Sequence, residues 1–571
     1  MVHLLAKKAF SPLLLPFQYV EYIHIFSSQY QISVVVVKMF PHLLTAAAGI
    51  AFLAYKQQDP SSAQLPTWGA THPGGNLRRA TNGAGNPLPS GTSSLAVQPA
   101  GPLLMDPVLI NKLASFNRER TPERVVHTVG QGAFGTFVVT NDVTGFTAAR
   151  VFNQVGKETP VFVRFSNVNG KAGVAETAHD QRGFALRFYT KEDGNLDFAG
   201  VITDVFHISD PMLFPDVNRV SLLNPVTNQK DPNMAFDFQS LRPETTQRYI
   251  KLLSDNFFAP GSMRSMDGFS VNIFLCTNSA GVSVYCKFNW KALQKIAPLT
   301  DEAAISLAGT EPGYYTKDLY NAIDSGNYPR WSFGMQILTF DRVNTLSFNP
   351  FDITKSWRED EFPFIPIGEF ILNRNQANFY AEIEQAAFDP ANLVPGISPN
   401  TPDIMLAARL FSYKDSQRYR LGPNFEEIQV NRPISPVAKY ERDGPIRTSA
   451  ASNGLGDPIY YPNSFNGPGI DEFAARLDVP GFANGPISRQ DRVVDNFSQV
   501  IRYLQTEVSP AERERMAGRV AKDLISIQDQ GVRERFFKNC IYPLGTPFSD
   551  MVVYYYGTLT NGAGRDLLGQ T

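Results

Sequence analysis

Five segments rich in β-branched and aromatic residues lie between residues 159 and 340, and they restrict the fold more than any other feature of the chain. They read TPVFVRFS (159–166), RGFALRFYT (182–190), FSVNIFLC (269–276), VSVYCKFNW (282–290) and SFGMQILTF (332–340). This composition is typical of β-strands, and NSAG at 278–281 predicts a hairpin turn between the third and fourth segments. Several antiparallel strands in one block predict a β-barrel or a β-sandwich.

Residues 1–57 differ from the rest of the chain. Two apolar runs, at 32–37 and 40–55, are interrupted by Lys38 and Pro41. The second run is short for a membrane span and suits the apolar part of a targeting signal. Three interpretations stay open: a weak membrane anchor, a targeting segment, or an extension upstream of a later start codon. We expect an intracellular protein, cytoplasmic or vesicular, and the final residues DLLGQT carry no peroxisomal signal.

Composition divides the remainder of the chain into four segments. Residues 58–118 are rich in Pro, Gly, Ser and Thr over most of their length, which predicts an extended arm. Residues 119–375 hold the strand-like text. Residues 376–485 contain many prolines and little periodicity, so we expect them to wrap over another part of the fold. Residues 486–571 are predicted to form a helical domain.

Two predicted helices lie in this last segment. Residues 490–508 show apolar residues at helical spacing. In the text that follows, Ser509 is the predicted N-cap, Pro510 occupies the first helical position, and Glu512 is placed to complete a capping box.

Charge and histidine content exclude several functions. The chain has 52 basic and 54 acidic residues, so its formal net charge of −2 does not favour nucleic acid as a partner. It has seven histidines, and none follows His207. A metal site made of several histidines is therefore excluded from the C-terminal half.

The three cysteines are Cys276, Cys286 and Cys540. The first two lie in strand-like text, where a free cysteine usually packs as a small apolar side chain. An odd number of cysteines without a CxxC motif argues against a disulfide framework and against a cysteine zinc site. We therefore expect free thiols and a reducing compartment.

Residues 130–135 read GQGAFG, which fits the GxGxxG pattern of nucleotide-binding loops. A dinucleotide site needs a strand before this pattern and a helix after it, whereas the text that continues here, FGTFVVT, is typical of a strand. The other motifs of a protein kinase are missing from the sequence. The glycines are better explained by a tight bend in a barrel.

Single residues do not identify a site by themselves. His127 lies between strand-forming residues, and Tyr413 lies in the segment ARLFSY. A structural histidine and a packed tyrosine are the ordinary explanations for each. Arg124, Arg164 and Arg409 lie beside strand or aromatic text, where a buried guanidinium would need an anionic partner.

Ten blocks of the sequence, taken together, resemble catalases in order and spacing. They are ERTPERVVHTVGQGAFG, VRFSNV, DQRGFALRFYT, DPMLFP, KDPNMAFDF, LRPE, NPFDITK, LNRNQANFYAEIEQAAFDP, ARLFSYKDSQRYRLGPNF and YYPNSF. The resemblance extends from about residue 75 to about residue 560. It implies an α+β protein of the small-subunit type: an antiparallel eight-stranded β-barrel, a long wrapping segment and a C-terminal helical domain, assembled as a homo-oligomer, tetramer or dimer.

The resemblance also implies a haem b site. Tyr413 matches the tyrosine whose phenolate binds the haem iron, and Arg409 matches the arginine that donates to this phenolate. His127 matches the distal base that moves a proton between peroxide oxygens. Ser166 matches its hydrogen-bond partner, and Phe214 matches an aromatic residue at the haem edge. The arginines that pair with the haem propionates correspond to Arg124, Arg164 and Arg420.

Three positions depart from the family pattern. Val201 stands where catalases have a distal asparagine that orients peroxide, and a valine cannot donate that hydrogen bond. His207 replaces a usual phenylalanine. Asn272 replaces the histidine that relays between the proximal arginine and an aspartate, kept here as Asp403. These changes predict weaker peroxide binding and an altered hold on Arg409.

The NADPH cleft of small-subunit catalases is matched only in part. Ser254, Lys291 and Trp357 agree with the family pattern. The arginine expected for the 2′-phosphate is Asn256, and the two expected histidines are Gln247 and Glu359. The matches leave NADPH open as a second cofactor, and the departures argue against it.

Two enzymatic hypotheses follow from this resemblance. In the first, bound haem and a reduced oxygen species, hydrogen peroxide or superoxide, oxidise a small organic substrate in fungal secondary metabolism, such as chanoclavine formation in ergot alkaloid pathways. Val201, His207 and the altered cleft favour it. In the second, the protein is an ordinary catalase that dismutates hydrogen peroxide. A non-enzymatic haem-binding relative is a third hypothesis, which the retention of both His127 and Tyr413 disfavours.

Overall fold

The computed structural model describes residues 59–72, 79–99, 101–447, 456–478 and 494–561, and before them the backbone of three strands. These strands, Ala6–Ala9, Val20–Phe26 and Gln31–Val37, form an antiparallel sheet. The apolar run at 40–55 lies outside the described residues. The chain divides into two compact units, Met1–Pro89 and Ser90–Thr571. No helix among the described residues is long and apolar enough to cross a membrane.

Eight antiparallel strands of the second unit close into a barrel. They are β1 (Gly130–Val139), β2 (Glu158–Asn167), β3 (Arg182–Thr190), β4 (Gly194–Val201), β5 (Gly268–Phe269), β6 (Ser283–Ala292), β7 (Arg330–Leu338) and β8 (Ile365–Arg374). The order around the ring is β5-β4-β3-β2-β1-β8-β7-β6, and β6 pairs with β5 to close it. Two further strands, Phe274–Thr277 and Ile397–Ser398, extend the sheet beyond the ring. The predicted barrel is confirmed.

Four of the five predicted segments coincide with β2, β3, β6 and β7. The segment at 269–276 is not one strand, because it divides into β5 and Phe274–Thr277. Val271 lies between these strands with a φ of 63°. A β-branched residue rarely adopts this left-handed conformation, so the backbone leaves the barrel ladder at this point.

Aromatic side chains fill the barrel. Phe188 and Phe198 reach inward from β3 and β4, and both contact Phe333 from β7. Phe198 also packs against Phe288 of β6, with their ring centroids 4.6 Å apart. All four side chains are buried. Interior positions alternate along each strand with period 2, which is the pattern that the sequence segments show.

The helices of the described residues are mostly short. They are α1 (Pro60–Thr71), α2 (Pro107–Phe116), α3 (Phe214–Arg219), α4 (Pro232–Leu241), α5 (Thr246–Leu252), α6 (Asp255–Phe258), α7 (Asp301–Thr310), α8 (Tyr314–Asp324), α9 (Phe340–Val343), α10 (Ile404–Leu421), α11 (Glu472–Leu477), α12 (Ser498–Thr506), α13 (Pro510–Ser526), α14 (Gln530–Phe536) and α15 (Phe548–Leu559). The helices from α12 onwards share an apolar core with α5, which agrees with the predicted helical C-terminus.

Two helices, α1 and α2, lie in the segment for which we predicted an extended arm. Neither has a buried residue. The boundary between the two compact units also falls in this segment, at Pro89. The division of the chain into five segments stays a prediction.

The start of α13 confirms the predicted N-cap but not the predicted capping box. Ser509 is the N-cap, because its hydroxyl accepts from the Glu512 N–H at 3.3 Å, and Pro510 is the first helical residue. Glu512 does not complete a capping box. Its carboxylate instead accepts from the backbone N–H of Asp255, 2.9 Å away, because α6 packs beside this end of the helix.

Cys276 and Cys286 form a disulfide, so the prediction of free thiols is wrong for this pair. Their strands are adjacent and antiparallel, and the Cα–Cα distance is 6.3 Å, within the range that a disulfide spans. The hairpin turn at 278–281 brings them together. Cys540 is free and buried, as predicted. The expectation of a reducing compartment rested on unpaired cysteines, so this disulfide removes its basis.

The GQGAFG segment forms β1, and a strand rather than a helix contains the whole motif. A Cβ atom at Gly130 would lie 2.3 Å from the Phe165 carbonyl oxygen, and one at Gly135 would lie 1.8 Å from that of Ile371. The glycines therefore permit close backbone approach in the barrel wall, and the nucleotide-loop interpretation is wrong.

Candidate active site

His127 lies just before β1 in an unusual backbone conformation. Its φ is 65°, and its N–H donates to the Val168 carbonyl at 3.0 Å. Its own carbonyl accepts from Arg164 Nη1 at 2.9 Å. The imidazole Nδ1 lies 2.8 Å from Ser166 Oγ on β2. Two contacts thus fix the backbone of His127 and one fixes its ring, and a positive φ at a non-glycine residue is a strain typical of functional sites.

Gly183 on β3 makes space for this pair. A Cβ atom there would lie 2.4 Å from His127 Nδ1 and 2.5 Å from Ser166 Oγ. Val201, at the end of β4, pairs with Gly183 across the ladder. Gly183 lies in the family-like block DQRGFALRFYT, but no pattern in the sequence marks it as a site residue. Only the packing of three strands shows its role.

Burial and, to a smaller extent, the positive charges of Arg164, Arg409 and Arg124 together lower the pKa of His127 to about 3. Both effects disfavour the imidazolium form. The ring is therefore neutral above about pH 4. A neutral imidazole has one basic nitrogen, so His127 can accept a proton from a molecule beside it.

We predict that Gly183→Ala lowers peroxide-dependent activity per bound haem by about tenfold to a hundredfold, because the new methyl group displaces the imidazole. Haem content, measured from the Soret band, should stay within a factor of two. Gly309→Ala is the control, since nothing lies within 4 Å of a Cβ atom there. Full activity in the Gly183 variant would show that the ring position is not critical.

Tyr413 lies on α10, a helix that Asp403 begins. The Asp403 carboxylate accepts from the Leu406 N–H at 2.9 Å and so caps the helix. Arg409 precedes Tyr413 by one turn, and its Nη2 donates to the Tyr413 hydroxyl at 2.7 Å. The same guanidinium donates to the Ala199 carbonyl on β4 at 2.7 Å. The Tyr413 hydroxyl is therefore held in one position, and a tyrosine oxygen is one of the ligands that hold haem iron.

Asn272 connects Arg409 to Asp403. Arg409 Nη1 donates to Asn272 Oδ1, and Asn272 Nδ2 donates to Asp403 Oδ2 at 2.8 Å. Burial raises the pKa of Asp403. A neutral amide accepts from the arginine on one side and donates to the carboxylate on the other, so Asn272 can transmit the hydrogen-bond chain that a histidine would carry.

Arg124, Arg164 and Arg420 are brought together at the barrel mouth. Arg124 and Arg420 both form an ion pair with Glu384, at 3.4 and 3.1 Å. Burial is the main cause that lowers the pKa of all three guanidiniums, and repulsion from neighbouring arginines also contributes for Arg124 and Arg164. For Arg164 the pKa falls to about 10.

This cluster fits the propionates of haem b. The cluster has three guanidiniums and one carboxylate, Glu384, and no sequence pattern marks that carboxylate as a site residue. The Nε of Arg164 is buried without a hydrogen-bond partner among the described residues, and a buried N–H donor needs an acceptor. The two propionates of a haem would balance the remaining charge. Tyr413 would hold the iron through its phenolate.

Comparison with known proteins agrees with this geometry. The sequence pattern of the family described as Catalase matches residues 81–467. The catalase of Rattus norvegicus is 44% identical over 474 residues, which are 82% of this chain and 89% of the rat protein. The chain belongs to the catalase family. As a catalase-family protein it is a haem oxidoreductase.

Solved catalases share the fold of this catalase-family chain. A fungal catalase superposes with a TM-score of 0.80 at 34% identity, covering 85% of this chain and 97% of that one. Catalase A from Saccharomyces cerevisiae gives a TM-score of 0.79 at 34% identity, covering 84% and 99%. The catalase of Ascaris suum is 45% identical over 450 residues, 78% of this chain and 81% of the worm protein.

Three other residues that were predicted for the distal pocket, Val201, His207 and Phe214, lie in or beside one apolar cluster of this catalase-family chain. Val201 is buried in a cluster with Ile208 and Val217, and Phe214 packs against that cluster. His207 is adjacent to it, with its ring stacked on Phe206 at 4.1 Å between centroids. Because position 201 holds a valine and not an asparagine, the wall beside His127 is apolar at this position.

The predicted NADPH residues each contact another part of the protein. Lys291 Nζ pairs with Glu359 at 2.5 Å. Trp357 is buried and donates to the Pro350 carbonyl at 3.0 Å. Ser254 begins α6 and shares a hydrogen bond with Tyr503. Because Glu359 neutralises the cation expected to bind a phosphate, these residues fit NADPH poorly.

Proposed function

We propose that this protein is a catalase that dismutates hydrogen peroxide to water and oxygen. The observation that carries the proposal is the pair of fixed side chains, His127 held by Ser166 and Tyr413 held by Arg409. Bound haem b supplies the two-electron redox chemistry. The 44–45% identity to proteins named catalase supports the same conclusion.

The protein residues position peroxide and move its proton. When Nδ1 of His127 carries the proton and donates it to Ser166 Oγ, Nε2 is the basic nitrogen. Nε2 then accepts the proton of one peroxide oxygen and returns it to the other, so that water can leave. Arg409 donates to the Tyr413 hydroxyl and so fixes the oxygen that would hold the iron. The apolar wall that includes Val201 excludes competing water.

Oxygen release from hydrogen peroxide, per bound haem, tests the proposal. The purified haem-loaded protein should turn over near the diffusional limit, with kcat/KM on the order of 10⁷–10⁸ M⁻¹s⁻¹. A rate several orders of magnitude lower, with haem fully bound, would reject dismutation as the main activity.

A second candidate is peroxide- or superoxide-dependent oxidation of a small organic substrate. Val201 favours it, because a buried valine offers no hydrogen bond to peroxide during the second half of dismutation. His207 also favours it, because its polar ring stands in an otherwise aromatic position. Participation in fungal secondary metabolism, including chanoclavine formation, is the finer form of this candidate and rests on the resemblance alone.

The substitution Val201→Asn separates the two candidates. If the protein is a catalase, oxygen release per haem should change by less than about threefold. If the second candidate is correct, the new amide should donate to peroxide and raise oxygen release by about tenfold, the value of one hydrogen bond. Val201→Ala removes the same methyl groups without adding a donor and serves as the control.

Assembly and location are also proposed from family membership. We propose a homo-oligomer, tetramer or dimer, located inside the cell in the cytoplasm or a vesicle. Size-exclusion chromatography with light scattering tests the first, because a monomeric mass of 63.4 kDa would contradict it.

A further inference from the structure

A cleft separate from the propionate cluster lies between the loop that carries His207 and helices α3 to α5. About 30 Å³ of it can hold the centre of a water-sized molecule, within an opening of about 400 Å³ that includes solvent. The polar side chains that line it include His207, Gln239 and Arg248, and the apolar ones include Val217 and Phe238. The cleft therefore combines a cation, neutral hydrogen-bonding groups and an apolar wall.

His207 has unsatisfied polar atoms in this cleft. The residue is only 4% exposed, and neither Nδ1 nor Nε2 has a hydrogen-bond partner among the described residues. A buried polar group without a partner costs about 1–3 kcal/mol. Burial is also the first cause that lowers the pKa of His207, with Arg248 second. A neutral ring presents one donor and one acceptor to a ligand.

Arg248 supplies the positive charge of the cleft. Its Nε donates to Gln181 Oε1 at 2.5 Å. Its Nη1 and Nη2 have no hydrogen-bond partner in the described part of the chain, so the guanidinium fork is available to a ligand. Asp180 is the acidic neighbour that raises the pKa of Arg248 against the effect of burial. The Asp180 carboxylate already accepts two hydrogen bonds from Asn169.

The cleft borders the wall of the proposed active site. Val217 lines the cleft and belongs to the same apolar cluster as Val201. Asn169 also lines it, and the preceding residue, Val168, accepts from the His127 N–H. A molecule in the cleft would therefore lie next to the residues that surround His127.

We propose that this cleft binds a small organic carboxylate, with its carboxylate on Arg248, a hydroxyl or amine on His207 or Gln239, and its apolar body against Val217 and Phe238. The guanidinium fork matches a carboxylate in shape and charge. The inference deepens the second candidate function, because it gives the class of organic substrate, but binding itself requires neither reaction.

Calorimetric titration of the haem-loaded protein tests this proposal with benzoate as the probe and benzamide as its neutral counterpart. Both titrations are repeated with saturating cyanide, which occupies the iron and removes binding at the haem. We expect benzoate to bind at least tenfold more tightly than benzamide, with or without cyanide. Equal affinities, or benzoate binding that cyanide abolishes, would overturn the proposal.

Variants locate the site. Arg248→Gln should weaken benzoate binding at least tenfold, whereas His207→Phe should weaken the binding of 4-hydroxybenzoate, whose hydroxyl it no longer holds, at least tenfold. His207→Phe should also raise the melting temperature, because it removes two unsatisfied nitrogens and keeps an aromatic ring. Arg219→Gln is the control, since this exposed arginine of α3 pairs with Asp216 outside the cleft. Unchanged affinity in both test variants would overturn the proposal.

Oxygen release is measured on the same samples to separate this proposal from the function. An inactive protein that binds benzoate would retain the inference and reject catalase activity. A protein that releases oxygen but does not bind benzoate would retain catalase activity and reject the inference.

Discussion

His127→Gln is expected to lower oxygen release from hydrogen peroxide by about 10²–10⁴-fold, the usual contribution of a general base. Glutamine keeps a polar side chain of similar reach but cannot take a proton. Haem content should stay unchanged, because Tyr413 and the arginine cluster are untouched. The measurement is the initial rate of oxygen release divided by haem concentration.

The pH profile tests the same residue. Burial lowers the pKa of His127 to about 3, so the basic form is present above about pH 4 and is lost only as the pH falls through 3. Oxygen release should therefore show no histidine step between pH 5 and 9. A rate that rises with a midpoint near 6.5, the ordinary histidine pKa, would contradict this environment.

Ser166→Ala provides the matched control for His127. It removes the hydroxyl beside Nδ1 and leaves the base in place, so a smaller loss, about tenfold, is expected. An equal loss in both variants would mean that the position of the ring, and not its basicity, limits the rate.

Arg187→Met is expected to lower the free energy of unfolding by about 3–5 kcal/mol, the cost of breaking a buried ion pair. Arg187 lies on β3 and is 1% exposed, and its Nε and Nη2 each donate to Asp197 on β4 at 2.7 Å. Its Nη1 donates to the Val430 carbonyl at 3.1 Å. The substitution leaves Asp197 as a buried carboxylate without its cation, and it removes a hydrogen bond between the barrel and the segment after β8.

Chemical denaturation of the variant measures the loss. Arg219→Met is the control, because Arg219 pairs with Asp216 at an exposed site and such pairs contribute about 0–1 kcal/mol. The double variant Arg187→Met/Asp197→Leu should recover part of the stability, since it removes both charges. A loss below about 1 kcal/mol in the single variant would show that water, or a relaxation of the surrounding structure, stabilises the Asp197 carboxylate once Arg187 is removed.

Much of the fold could be predicted before the structure. Strands β2, β3, β6 and β7 follow directly from runs of aromatic and β-branched residues, and the N-cap Ser509 follows from local helix chemistry. The resemblance of the sequence blocks to catalases predicted four further site residues: His127, Ser166, Arg409 and Tyr413. The structure places His127 against Ser166, and Arg409 against Tyr413.

Other features depend on residues far apart in the chain. Gly183 leaves space for His127 because β2 and β3 are neighbours, and Glu384 lies between arginines from two distant segments. The contact of Glu512 with Asp255 also overrode the local expectation. The pairing of Cys276 with Cys286, only ten residues apart, overrode the expectation of free thiols.

The sequence by itself determined which segments are strands and helices, because backbone preference and side-chain alternation are properties of neighbouring residues. It also determined the catalase family. Only the tertiary structure decided which charges are paired, which glycine has no room for a methyl group, and that the nitrogens of His207 lack hydrogen-bond partners in the part of the chain that the structure describes. These depend on distances between residues that are remote in the chain, and no local pattern encodes such distances.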